Sequence, residues 1–182
     1  MNIVLTGFMG TGKSIVSRKL AKRLGMSYLD TDELIEEKEG IKISAIFQEK
    51  GEKYFRQLET QVIKEVASLD NHVISSGGGV VLREENVTAL KKNGFIICLS
   101  ANPEVILQRT VNNRDRPLLE VDDQKKRIKE LLKIRKPFYD KADFNIDTSS
   151  LSSEEVVEKI VARCSSLVAR KKLVRTQINK IK

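Results

Sequence analysis

Four groups of residues in this 182-residue chain have the types and spacing to do chemistry. The first is Gly7-Phe8-Met9-Gly10-Thr11-Gly12-Lys13-Ser14, which fits the pattern G-x-x-x-x-G-K-[ST]. Glycines let such a loop wrap closely, so that successive backbone N–H groups face phosphate oxygens, and a helix opening at the loop adds positive potential. Lys13 can reach the β- and γ-phosphates, and the Ser14 hydroxyl can ligate Mg²⁺. This pattern predicts binding of a nucleoside triphosphate, ATP with Mg²⁺, with Gly10, Thr11, Gly12, Lys13, Ser14 and Ile15 around the phosphates.

The second group is Asp30-Thr31-Asp32. On an extended segment, carboxylates two apart point the same way, and beside a phosphate loop they could hold metal-bound water and a substrate hydroxyl. The competing reading is a helix N-cap, with Asp32 able to serve. The third is Arg56 with Glu59, three apart on a predicted helix, where Glu59 can lock the guanidinium or the two can form an ordinary surface pair that contributes little. The fourth is Gly77-Gly78-Gly79, bare backbone against which a ligand can lie.

These groups need elements to hold them. Residues 2–6 are a short apolar, β-prone run, and Ser14–Leu24 has the helical period ending at Gly25. Further strands are predicted at Tyr28-Leu29, His72–Ser75, Phe95–Leu99 and Phe144–Ile146. Helices are predicted over 32–39, 43–50, 52–68, 84–92, 103–112, 123–136 and after a cap at Ser152-Ser153. Short apolar strands alternating with helices predict a parallel sheet covered on both faces, with ligands outside the strands' C-terminal ends. The polar, arginine-rich stretch 112–123 reads as a candidate lid.

Composition narrows the function further. Net charge is +8, but residues 159–182 carry eight of the 33 basic residues and none of the 25 acidic ones, so residues 1–158 are neutral. The basic excess belongs to a tail, and the body carries no nucleic-acid footprint. No run of eighteen apolar residues is present, which excludes a transmembrane helix, and no export signal is visible, so a cytoplasmic location is expected. Cys98 and Cys164 fit no metal spacing and are expected to be buried free thiols. His72, the only histidine, reads as structural, and Phe47, Tyr54 and Phe55 as local packing. The short chain, the arginine-rich lid and the lack of an Asn-Lys-x-Asp run to read guanine favour a small-molecule kinase over motors and GTPases.

Taken together, the phosphate loop, Asp30-Thr31-Asp32, Phe55-Arg56-x-x-Glu59, Gly77-Gly78-Gly79, Arg116-Pro117-Leu118-Leu119 and Arg135-x-x-x-Tyr139 resemble the shikimate kinase family in order and spacing, over residues 1 to about 160. The resemblance implies a three-layer α/β/α P-loop kinase fold, with five parallel strands in order 2-3-1-4-5 and a lid. It implies transfer of the γ-phosphoryl group of ATP to the 3-hydroxyl of shikimate, by a monomer that engages neither nucleic acid nor membrane. By the same resemblance Arg56 and Arg135 clamp the substrate carboxylate, Asp32 holds substrate hydroxyls, and Gly78 and Gly79 contact substrate through their backbone. Asp30 stands in the second shell of Mg²⁺, Arg116 closes over the transferring phosphate, and Arg109 packs against adenine beside the Asp147-Thr148 loop. The implied catalytic residues are Lys13, Asp32 and Arg116. Residues 1–168 would form one kinase domain and 169–182 a basic extension. Two alternatives stay open at this point. One is another P-loop small-molecule or nucleoside monophosphate kinase, which should lack the Arg56/Arg135 clamp; the other is a non-catalytic ATP- or nucleic-acid-binding module that uses the tail.

Overall fold

A computed structural model describes residues 1–111, 117–119 and 121–164. Five strands, β1 (Asn2–Gly7), β2 (Ser27–Asp30), β3 (His72–Ser75), β4 (Gly94–Ser100) and β5 (Phe144–Asp147), form an all-parallel sheet in the expected order β2-β3-β1-β4-β5. The central strand β1 pairs Val4 with Ile74 of β3 and with Ile96 of β4. Every residue of β1 is buried, as a strand covered on both faces requires.

The helices are α1 (Lys13–Leu24), α2 (Thr31–Glu39), α3 (Ile43–Ala67), α4 (Glu84–Asn93), α5 (Pro103–Thr110), α6 (Gln124–Tyr139) and α7, described over 153–164. Strand alternation divides the core in two. Val4, Ile74 and Ile96 face a layer containing α3, α4 and α6, through Ile63, Leu90 and Ile128. Ile3, Leu5, Val73, Ile97 and Leu99 face α1 and α7, through Val16, Leu20, Val156 and Ile160. Helix ends follow local chemistry. Gly25 and Gly40 terminate α1 and α2 in the left-handed region, and Pro103 opens α5. Ser152 and Glu155 form a reciprocal capping box at α7, the Ser152 Oγ accepting from the Glu155 N–H and the Glu155 carboxylate accepting from the Ser152 N–H. The two helices expected over 43–50 and 52–68 are the halves of α3, broken at Gly51 (φ 79°, ψ 167°).

Two expectations need correction. Asp30 and Asp32 do not share an extended segment. Asp30 ends β2 and caps α2, its Oδ1 accepting from the Asp32 N–H at 3.0 Å, and Asp32 lies in the first helical turn. The capping preference of Asp therefore overrides strand alternation, and the cap is Asp30. Cys98 is buried, but Cys164 is only half-buried near the end of the described part of α7. Arg116, half of the 112–123 lid and all of 169–182 lie outside the described residues.

Candidate active site

The phosphate loop joins β1 to α1 over the sheet's C-terminal edge. Phe8 is buried and anchors it, with the Arg135 guanidinium 5.6 Å from the centre of its ring. Gly10 (φ 77°) and Gly12 (φ 91°) hold left-handed backbone that a side chain would strain. The Thr11 Oγ1 (2.7 Å) and Lys13 Nζ (3.0 Å) both donate to the Phe8 carbonyl, so the lysine arches back over the loop. No side chain caps α1, which leaves its first-turn N–H groups to an anion.

The Ser14 hydroxyl donates to Asp30 Oδ2 at 3.0 Å, and the Tyr28 hydroxyl reaches the same oxygen at 3.2 Å. Asp30 is buried, and its carboxylate ties three groups together: Ser14, Tyr28 and the Asp32 N–H. Burial, with the Asp30 charge behind it, pushes the Tyr28 phenol up to about 12, so it stays a donor. A hydroxyl oxygen beside a carboxylate suits Mg²⁺, a hard cation that keeps waters and takes few protein ligands. Among the described residues no three His, Cys, Asp or Glu side chains gather as a dedicated metal cage.

Beside the loop lies a cavity of about 300 Å³, lined by Lys13, Ser14, Asp32, Arg56, Gly77–Gly79, Leu118 and Arg135 among others. Arg56 and Arg135 are both buried. Arg56 Nη1 donates to both Glu59 oxygens at 3.0 and 2.9 Å, the lock expected from their spacing. Burial works against the Arg56 charge, but Glu59 and Glu52 outweigh it and raise its pKa. Burial likewise pushes the Glu59 carboxyl up, with Arg56, Arg135 and Arg83 pulling it back. Removing Glu59 would leave Arg56 Nη1 without its partner and Glu52 as the guanidinium's remaining carboxylate.

The three glycines are clearances. A Cβ on Gly77 would lie 2.7 Å from Asp32 Oδ1 and 3.0 Å from Glu59 Oε1; one on Gly78 would lie 3.0 Å from the Gly7 carbonyl oxygen; one on Gly79 would overlap the Arg56 guanidinium. Thr31 Oγ1 accepts from the Gly77 N–H (3.1 Å), and the Tyr139 hydroxyl donates to the Gly78 carbonyl (2.8 Å). Every residue of Asp30-Thr31-Asp32 thus touches the site by a different route.

A second cavity of about 410 Å³ opens on the other side of the loop, lined by Gly10, Gly12, Ile15, Arg109, Thr148 and Val156 among others. Arg109 donates to Thr148 Oγ1 (3.2 Å) and to the Thr148 carbonyl (3.0 Å). Thr148 Oγ1 also contacts the carbonyls of Thr11 (3.2 Å) and Ser100 (3.0 Å). Asp147 is exposed; its Oδ1 accepts from the Ser149 hydroxyl and from the Ser149 N–H, which hold its carboxyl below the usual range, and it does not line this cavity. Sequence reasoning passed over Thr148 as a hub and Glu52 as an Arg56 partner; the i, i+4 spacing of Glu52 and Arg56 was the available signal.

A loop binding phosphate between two cavities, on a parallel sheet in order 2-3-1-4-5, defines a P-loop kinase with a small-molecule acceptor site. The family model described as Shikimate kinase matches residues 9–165. The chain belongs to the shikimate kinase family. It is 50% identical to a shikimate kinase of Caldanaerobacter subterraneus subsp. tengcongensis over 93% of this chain and 99% of that one. It is 52% identical to one of Thermodesulfovibrio yellowstonii, over 88% and 92%. Among solved structures, shikimate kinase from Acinetobacter baumannii in complex with shikimate matches with a TM-score of 0.88 and 39% identity, over 91% of this chain and 93% of that one.

Proposed function

We propose that this chain transfers the γ-phosphoryl group of ATP to the 3-hydroxyl of shikimate, giving shikimate 3-phosphate and ADP, and that the residues described above carry out the reaction. The observation that carries the reading is a pair of buried guanidinium groups, Arg56 and Arg135, in a cavity that also holds Asp32 and opens on Lys13. Two guanidinium forks suit a planar carboxylate, and they fix the acceptor far from its reacting hydroxyl. Gly78 and Gly79 line the same cavity and are assigned to contact the ring through their backbone. Asp32 accepts the hydrogen bond of the attacking hydroxyl and aims its oxygen at the γ-phosphorus.

Phosphoryl transfer passes through a loose transition state with charge spread over the equatorial oxygens, so positioning and electrostatics supply most of the acceleration. The new O–P bond forms as the bond to the β–γ bridging oxygen breaks, ADP leaves, and the attacking hydroxyl gives up its proton to Asp32. Lys13 neutralises part of that charge, and Arg116 is assigned the same task from the lid. Ser14 would ligate Mg²⁺, with Asp30 holding Ser14 and metal-bound water; the ion would supply charge neutralisation at the phosphates. Gly10, Thr11, Gly12 and Ile15 cradle the nucleotide, while Arg109 covers adenine with the 147–148 turn at its edge. We further propose a cytoplasmic monomer. No described helix is long and apolar enough to cross a membrane.

An ADP-release assay with a panel of acceptors tests the reading. Turnover is expected with shikimate; turnover with another acceptor and none with shikimate would overturn it.

A further inference from the structure

The Arg56 fork is already occupied. Its Nη1 faces Glu59, and its other edge is taken by Glu52, whose Oε1 accepts from both Nε (3.2 Å) and Nη2 (2.9 Å). The two carboxylates are not equivalent. The Glu59 side chain is 1% exposed and fixed between Arg56 and the Gly77 backbone; the Glu52 side chain is 52% exposed. Glu52 also follows Gly51 directly, where α3 breaks with φ 79°, and nothing lies within 4 Å of where a Gly51 Cβ would stand. Of the two partners, Glu52 is the one that can leave. A ligand carboxylate entering the cavity needs a two-donor edge of Arg56. Nη1 is held by the buried Glu59, so the donors open to exchange are Nε and Nη2, which Glu52 holds.

We propose that Glu52 is a resident competitor for the acceptor's carboxylate, so that acceptor binding at Arg56 is an exchange of one carboxylate for another. The inference rests on the functional reading above and adds a specificity-determining residue to it. Glu52 spans the two donors with a single oxygen, whereas a ligand carboxylate can present two oxygens in parallel, the better-matched pair. The exchange therefore runs toward the ligand. The displaced Glu52 returns to water at little cost, because half of it is already there. In the empty site Glu52 keeps a buried guanidinium paired and raises the threshold for ligands that lack a carboxylate. Such a ligand leaves Glu52 in place and gains nothing from the fork.

The test measures equilibrium binding of shikimate and of its neutral methyl ester to the unsubstituted chain and to Glu52→Gln. The substitution keeps the shape, removes the charge and sits on an exposed helix face. Shikimate should bind about three- to tenfold more tightly to Glu52→Gln. The ester should change by less than about twofold, so selectivity for the acid rises. Glu52→Asp, whose carboxylate is withdrawn by one methylene, should move in the same direction by a smaller factor. Shikimate binding that is unchanged or weaker in Glu52→Gln overturns the role of Glu52 alone. Equal gains for acid and ester also overturn it, since they would report a general change in the cavity. Failure of the unsubstituted chain to bind shikimate overturns the functional reading and this inference with it.

Discussion

Replacing Gly79 by alanine tests the acceptor clamp through a single methyl group. Gly79 has φ −97° and ψ −8°, backbone that alanine adopts without strain, so the perturbation is confined to what the new Cβ meets. It would meet the Arg56 guanidinium, at 2.5 Å from Cζ and 2.7 Å from Nη2. Carbon atoms rest at about 3.5 Å or more, so the guanidinium has to retreat by about 1 Å. That displacement costs the aligned pair of charge-assisted hydrogen bonds to the acceptor carboxylate, about 1.5–3 kcal/mol. Steady-state kinetics with shikimate should then show kcat/KM lowered by roughly ten- to 150-fold. The nucleotide cavity is on the far side of the loop, and the KM for ATP should stay within about twofold. Gly40→Ala is the contrast. Gly40 has φ 70° with open space around it, so this variant should lose about 1 kcal/mol of stability and leave the kinetics alone. A Gly79→Ala enzyme whose kcat/KM stays within about threefold of the unsubstituted enzyme would refute the placement of Arg56 as a clamp.

Further outcomes follow from the same geometry. Arg56→Lys keeps the charge but loses the fork that Glu59 and Glu52 hold, so shikimate turnover should collapse while nucleotide binding persists; normal kinetics would remove Arg56 from the clamp. Lys13→Ala should abolish transfer, and near-normal rates in the ADP-release assay would contradict the phosphate-loop argument. Thr148→Val leaves the Thr11 and Ser100 carbonyls and Arg109 without their shared partner; it should cost about 1–3 kcal/mol in urea unfolding and raise the KM for ATP. Burial pushes Tyr139 from 10.0 and Cys98 from 9.0 up to about 12, so the native state keeps protons that the unfolded chain releases. Stability contributed by these groups is complete below pH 9 and is lost as pH rises toward 12, about 2–3 kcal/mol for Tyr139 alone. A urea midpoint that stays flat between pH 8 and 11 would contradict that burial.

What the sequence made legible, and what it did not, divides by range of interaction. Strand and helix positions were readable because apolar periodicity is local, and even the break in α3 shows in a glycine between two periodic runs. The Arg56–Glu59 lock was readable because three residues on a helix are neighbours by geometry. Asp30 and Asp32 were placed on the right edge but in the wrong conformation, because a side-chain cap and a strand compete for the same three residues and the Asp30 cap prevails, with Thr31 turned to accept from the Gly77 N–H. Thr148 was not readable as a hub. Its partners, Thr11, Ser100 and Arg109, come from three other segments and meet only when the sheet is assembled. The three glycines were readable as open space; that the space belongs to Asp32, Glu59 and Arg56 was not.

The central position of β1 bears on how the chain comes off the ribosome. The phosphate loop is made before β3 and β4, yet its strand lies between them, and they end at residues 75 and 100. At about 5–20 residues per second, the apolar segment 2–7 waits several seconds or more for both edges to be covered. Until then it is an unpaired, sticky strand whose own hydrogen-bonding partners do not yet exist. A nascent chain stalled before Gly94 therefore carries the entire phosphate-binding sequence with no second neighbour to set the loop's floor.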